Sequence, residues 1–323
     1  MSHSYPDQDT MRAALALAVR APSVHNTQPW RWRVGDTTVH LYTDDTRQLP
    51  HADPDGRDLL LSCGAALHHL QVAALGLGWD TEVHRLPNPT DPQHLAAVEF
   101  HPATPTPEAE RLARAIGQRH TDRRRFTSWE VPSTYVDAVV AASAATGVVV
   151  RDIDSARDRA TLLRFFERAA LEHAADSSYG AELARWSGRH AAAEGVPARN
   201  AVVADDPTTR VFASPTLPEA VIHDIDDTAR MLLLCTSSDD RLSRLRAGEA
   251  TSAVLLTATT RGLATCPLTE PLELPDIRAG IRSDILADFG YPQVIVRMGW
   301  AATSADEVPA TPRRPLDDVV QPL

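Results

Sequence analysis

Lysine is missing from this chain of 323 residues, and all 32 of its basic residues are arginine. Without a lysine amine there is no Schiff base for pyridoxal-phosphate chemistry and no G-K-[ST] phosphate loop. Cysteine is scarce. Cys63, Cys235 and Cys266 lie far apart and form no C-x-x-C pair, so neither a zinc site nor a redox dithiol is encoded, and a reducing cytoplasm is the expected compartment. No apolar run approaches the roughly 20 residues that span a bilayer. The apolar stretch Ala13 to Val19 sits between Arg12 and Arg20 and follows Asp7 and Asp9, which reads as an amphipathic first helix and not as a signal peptide. Positive charge is in deficit as well: 43 carboxylates against 32 guanidiniums give a net charge of -11. That argues against sequence-independent binding to nucleic acid or to an anionic membrane surface. An anionic ligand must therefore be held locally, by arginine. The motifs G-x-G-x-x-G, G-x-S-x-G and H-E-x-x-H are absent, which argues against a Rossmann dehydrogenase, an α/β-hydrolase and a zinc protease.

What is present, 43% hydrophobic residues in a 35.1 kDa chain, is enough for two ordinary domains or one duplicated unit. The pattern predicts a helix over Arg12–Arg20 and a hairpin of Trp30–Val34 with Val39–Tyr42 around Gly35-Asp36. A helix nearly apolar all round follows, from Arg57 to about Gly76, the mark of a helix inside a core. Strands are expected at Thr81–Leu86 and Leu95–Phe100, and the proline-rich Pro102–Pro107 reads as a boundary between two halves, 1–105 and 106–323. Beyond it come helices at Glu108–Gln118, Tyr135–Ala145 and Ser155–Ala175, with a strand at Val148–Ile153. An insert over about 188–218 lacks clear periodicity and reads as a lid. Shifting the sequence by 184 places Arg57 on Arg241, Leu61 on Leu245, Gly64 on Gly248 and Gly78 on Gly262, which suggests two related halves, each built on a central apolar helix. Alanine-rich helices also match by chance. His68-His69 lies within the first of these helices, where adjacent positions diverge, so two buried, hydrogen-bonded histidines are expected there and no metal site.

Two segments carry chemistry. Ser23-Val24-His25-Asn26-Thr27-Gln28-Pro29-Trp30 collects a hydroxyl, two amides, an imidazole and an indole in one loop, able to match the C=O and N–H edges of a flat heterocycle. The same composition also suits a loop satisfied by its own Asx and Ser turns. Arg119-His120-Thr121-Asp122-Arg123-Arg124-Arg125 is dense in anion-binding groups, and Arg313-Arg314 forms a second basic spot. Either could clamp a phosphate or pair with nearby carboxylates.

Ala21-Pro22-Ser23-Val24-His25-Asn26-Thr27-Gln28-Pro29-Trp30 resembles the A-P-S-x-x-N-x-Q-P-W signature of the nitroreductase-like FMN flavoprotein superfamily. Arg119-His120-Thr121-Asp122-Arg123 resembles its R-[RH]-[ST]-x-[RK] segment, with arginine where lysine is common. Over nearly its whole length the chain resembles the single-chain Acg-like group, in which two nitroreductase-like halves are fused. The resemblance implies an α+β fold of two related halves forming a pseudo-dimer around central buried helices, and a monomer that mimics a homodimer. It implies one FMN per chain, touched by Ser23, Asn26, Gln28, Pro29 and Trp30 and by Arg119, Thr121 and Arg123. By the same resemblance Pro267, Leu268 and Thr269 face the flavin ring, and Arg313 and Arg314 face its phosphate. The flavin performs the redox chemistry, so no catalytic side chain is named. The expected activity is an NAD(P)H-dependent oxidoreductase acting on nitroaromatic or quinone-type acceptors. The alternative is a protein that sequesters FMN beneath a lid without turnover, and a more distant one is a fold with no cofactor.

Overall fold

The computed structural model describes residues 5–189, 192–219 and 229–323. Asp7 starts α1 (Gln8–Ala18) by accepting the Thr10 N–H, so the helix begins earlier than the apolar stretch alone suggests. The hairpin strands are β1 (Trp30–Val34) and β2 (Thr38–Thr43), and α2 (Arg57–Gly76) carries the apolar run. β3 (Trp79–Arg85), β4 (His94–Pro102) and α3 (Pro107–Gln118) follow, the last capped by Thr106 with Pro107 in its first turn. Next come α4 (Ser133–Ala141), β5 (Val149–Asp152), α5 (Ala156–Ala175), α6 (Ser177–Arg185), β6 (Ser187–Arg189) and β7 (Val196–Pro197). The chain ends with β8 (Arg230–Thr236), α7 (Arg241–Thr259), β9 (Ala264–Leu268), α8 (Glu270–Glu273), α9 (Pro275–Asp284), β10 (Tyr291–Gly299), α10 (Leu316–Val319) and β11 (Val320–Pro322). The fold is α+β.

Two sheets share one plan. The first runs β11-β1-β2-β4-β3 and the second β5-β8-β10-β9. Leaving β11 aside, every pairing in both is antiparallel, and in each a long helix joins the second strand to the strand at the far edge. β11 breaks the parallel: it returns from the C-terminus to lie parallel to β1, with Trp32 opposite Val320. The first sheet packs α1 and α2 on one face, so β2 and β3 alternate in exposure. The second has helices on both faces, α4 and α7 on one and α5 and α9 on the other, so β8 and β10 are buried almost throughout.

The sheets meet through α2 and α7, the most extensive helix–helix interface among the described residues. α2 is long and apolar enough to cross a membrane by composition, but it is packed against α1, α3, α7 and the first sheet. Its two histidines reach across the interface: His68 Nδ1 lies 2.7 Å and His69 Nδ1 2.8 Å from Ser252 Oγ of α7, while His69 Nε2 is buried with no hydrogen-bond partner among the described residues. A further small core beneath the insert joins Leu49 and Ala52 to Tyr179, Leu183, Val196 and Phe212.

Candidate functional site

The amide loop is built on left-handed backbone. His25, Asn26 and Gln28 have φ of 45°, 54° and 52°, a conformation that asparagine tolerates and most other side chains resist. It is held from several sides. Gln28 N donates to Ser23 Oγ (3.0 Å) and Val24 N to Ser62 Oγ on α2 (3.1 Å). Asn26 Nδ2 donates to the carbonyls of Gly195 and Pro312, both at 3.1 Å. Gln28 Nε2 donates to Ala193 O (2.9 Å), while its Oε1 accepts the Arg314 N–H (2.9 Å). The two amides thus fasten the insert and the C-terminal tail to this loop.

The arginine segment divides by environment. Asp122 N donates to Thr265 O (2.9 Å) and Thr121 bridges Thr265, docking the segment beside β9. Arg124 pairs with Asp122 at 2.8 Å and Arg125 with Asp205 at 2.6 Å. Arg123 donates to Asn200 O (2.9 Å) and lies over the Phe212 ring, 4.9 Å from its centre. Arg119 is different. It is 6% exposed, yet among the described residues its Nε and Nη1 have no hydrogen-bond partner. Burial, reinforced by the charge of Arg20, lowers its pKa to about 10. Arg313 is lowered to about 9, first by burial and then by Arg119 and Arg20. Its guanidinium donates to the carbonyls of Val19, Arg20 and Ala21. Three guanidiniums therefore converge with no carboxylate paired to them among the described residues, an arrangement that an anion would relieve.

These parts enclose one cleft of about 1190 Å³ of space between atoms, its mouth included. Of the residues singled out from sequence, Ser23, Asn26, Arg119, Thr121, Arg123, Pro267, Leu268, Thr269 and Arg313 line it together. Gln28, Pro29, Trp30 and Arg314 do not. Gln28 is fully buried in the bonds just described, and the Pro29 carbonyl accepts from Asp44 N at 2.9 Å. Trp30 enters β1 and is buried in the first core. Arg314 points to Asp44, 3.6 Å away, and to the Asp318 carbonyl.

The insert contributes more than a cover. Val196, Asn200, Thr208, Thr209, Arg210 and Phe212 form one wall; residues 190 and 191 of the expected lid lie outside the described residues. Arg210 is the key missed group. It meets Glu273 at 2.5 Å, Tyr179 Oη at 2.8 Å and His25 Nε2 at 2.7 Å, and lies 3.8 Å from Glu270. No local pattern marks it, because its partners come from α6, α8 and the amide loop. Glu270 and Glu273 had only one signal, their place in the first turn after Thr269.

No protein-family model matches the chain. Two Mycobacterium tuberculosis H37Rv proteins carry the name "Putative NAD(P)H nitroreductase". One, Rv3131, is 47% identical over 325 residues, spanning 99% of this chain and 94% of its own length. The other, acg, is 40% identical over 322 residues, spanning 96% of this chain and 95% of its own length. Among solved structures, a Desulfitobacterium hafniense nitroreductase with bound FMN overlaps with a TM-score of 0.41 at 14% identity, covering 66% of this chain and 98% of that one. On the full-length identity to the mycobacterial proteins, the chain belongs to the Acg-like nitroreductase family.

Proposed function

We propose that the cleft holds one FMN per chain and that the protein is an NAD(P)H-dependent, nitroreductase-type oxidoreductase. The observation that carries this is Arg119: a buried guanidinium with two nitrogens lacking partners among the described residues, beside Arg20 and Arg313, at a cleft lined also by the amide loop and β9. The residues fit the cofactor. Arg119 and Arg313 would hold its phosphate, with Arg123, Thr121, Ser23 and Asn26 along the rest of the molecule and Pro267–Thr269 at the ring. The chemistry supplied there by bound FMN is transfer of reducing equivalents from NAD(P)H to an oxidised acceptor of nitroaromatic or quinone type.

The chain's own groups bind and orient. Arg119, which is buried, and Arg313, which is half-buried, would neutralise the FMN phosphate through charge-assisted bonds. Arg123, held by Asn200 and Phe212, fixes a positive charge beside the ring site, which favours electron-rich states there. The shared strand order of the two sheets supports reading the chain as a fused pseudo-dimer that needs no second subunit. Three free, buried cysteines agree with a reducing cytoplasm.

A second reading, FMN sequestration, has its own observation. The insert forms a wall of the cleft and is tied down by Asn26 to Gly195, Gln28 to Ala193 and Arg210 to Glu273. Mixing FMN-loaded protein with NADPH under anaerobic conditions decides between them. Bleaching of the flavin absorbance within seconds to minutes supports the oxidoreductase; a flavin that stays yellow with excess NADPH supports sequestration.

A further inference from the structure

One buried polar atom on the cleft wall has no part in gripping an anion or in docking the insert. Arg210 Nη1 lies 2.7 Å from His25 Nε2. A guanidinium only donates, so Nε2 accepts, and the ring carries its single proton on Nδ1. That Nδ1 is buried and has no hydrogen-bond partner among the described residues, although His25, 7% exposed, borders the cleft. A second proton is opposed from every side. Burial comes first, then the charges of Arg210 and Arg123, with His173 also facing the ring, and together they hold its pKa well below the usual histidine value. Phe212 supplies an apolar neighbour, edge-to-face at 5.8 Å and 85°. Nor can Arg210 turn away, since Glu273 and Tyr179 hold its other contacts.

We propose that His25 is a fixed, neutral hydrogen-bond donor that presents Nδ1–H to an uncharged acceptor atom, a carbonyl oxygen or unprotonated ring nitrogen, on a planar ring in the cleft. This rests on reading the cleft as an FMN site. Such atoms occur both on the flavin and on a quinone acceptor. An unfilled buried donor is costly, so a ligand that supplies the missing acceptor gains by it and one that lacks it is disfavoured.

Three substitutions separate the roles. In His25→Asn the amide N–H takes the place of Nδ1 and suits the left-handed backbone; in His25→Gln the longer amide reaches the Nε2 position and Arg210, leaving the Nδ1 position empty. His25→Leu removes both. FMN affinity, read by quenching of flavin fluorescence, and KM for 1,4-benzoquinone with NADPH are compared with the native protein, and apo melting temperature reports folding separately. Loss of about fivefold in FMN affinity, or an equal rise in KM, is expected for the Gln and Leu variants, while Asn stays within about twofold. A change in FMN affinity identifies the flavin as the recognised ring; a change confined to KM identifies the acceptor. Gln and Leu variants that match the native protein in FMN affinity, with KM unchanged or no turnover at all, overturn the proposal and leave the FMN reading standing. A native protein that takes up no FMN overturns both.

Discussion

Gly64 on α2 and Gly248 on α7 stand backbone to backbone: a Cβ on Gly64 would lie 2.0 Å from the Leu245 carbonyl oxygen, and one on Gly248 would lie 2.0 Å from that of Leu61. The contact is reciprocal, because Leu245 and Gly248 are the residues 184 positions after Leu61 and Gly64. Self-complementary exchange of this kind is what a twofold interface imposes. It also brings α2 and α7 close enough for His68 to reach Ser252, again 184 positions apart.

Gly64→Ala or Gly248→Ala should therefore destabilise the protein by about 3 kcal/mol or more, since the added methyl meets backbone of the opposite helix and not a side chain that can swing aside. Chemical denaturation checks this through the midpoint. An unchanged midpoint for both variants would mean that the helices do not approach this closely.

Acid should weaken the fold between about pH 6.5 and 4. His68 is lowered to about 4, first by burial and then by Arg85. A histidine whose folded pKa is depressed binds fewer protons in the native than in the unfolded state across that window, so stability is present above it and lost as pH falls. From pH 6.5 to 5 this group alone costs about 1.6 kcal/mol, the slope rising from about half of 1.4 kcal/mol per pH unit at pH 6.5 towards its full value. His68→Gln should flatten the slope of unfolding free energy against pH over that range. A slope equal to that of the native protein contradicts a neutral His68.

Gln28→Ala should loosen the insert. It removes the bonds to Ala193 O and from the Arg314 N–H, a loss of about 0.5–1.5 kcal/mol for each bond, since Ala193 is exposed and Arg314 half-buried and water can reach both freed groups. Limited proteolysis across residues 192–219 should then run several-fold faster than in the native protein. Equal cleavage rates would show that this amide does not hold the insert.

Much of the architecture is legible in the sequence because it is set locally. The all-round apolar character of the segment from Arg57 to about Gly76 marks α2, and the alternation around Gly35-Asp36 marks the hairpin. The 184-residue shift points to the α2 and α7 pair. What sequence does not display is set by distant partners. β11 needs the far end of the chain to find the edge of β1, and α6 carries too few apolar positions to stand out beside α5. The same holds at the cleft. Arg119 and Arg123 stand out in a dense arginine run, but nothing within it tells them from Arg124 and Arg125, whose carboxylate partners Asp122 and Asp205 differ in sequence distance and become apparent only once the chain is folded. Gln28 and Trp30 belong to the signature, yet they serve the loop and the core; Arg210 lies in the insert, and its four partners come from three separate segments.

The central claim is that Arg119 grips the phosphate of one bound FMN. Titration of apo-protein with FMN, followed by flavin fluorescence, tests it in the native chain and in Arg119→Ala. The account predicts one FMN per chain and an affinity lower by about 10-fold to 100-fold in the variant, the equivalent of a charge-assisted bond worth about 1.5–3 kcal/mol. Native protein that binds no FMN, or a variant that binds it as tightly as the native chain, would contradict it.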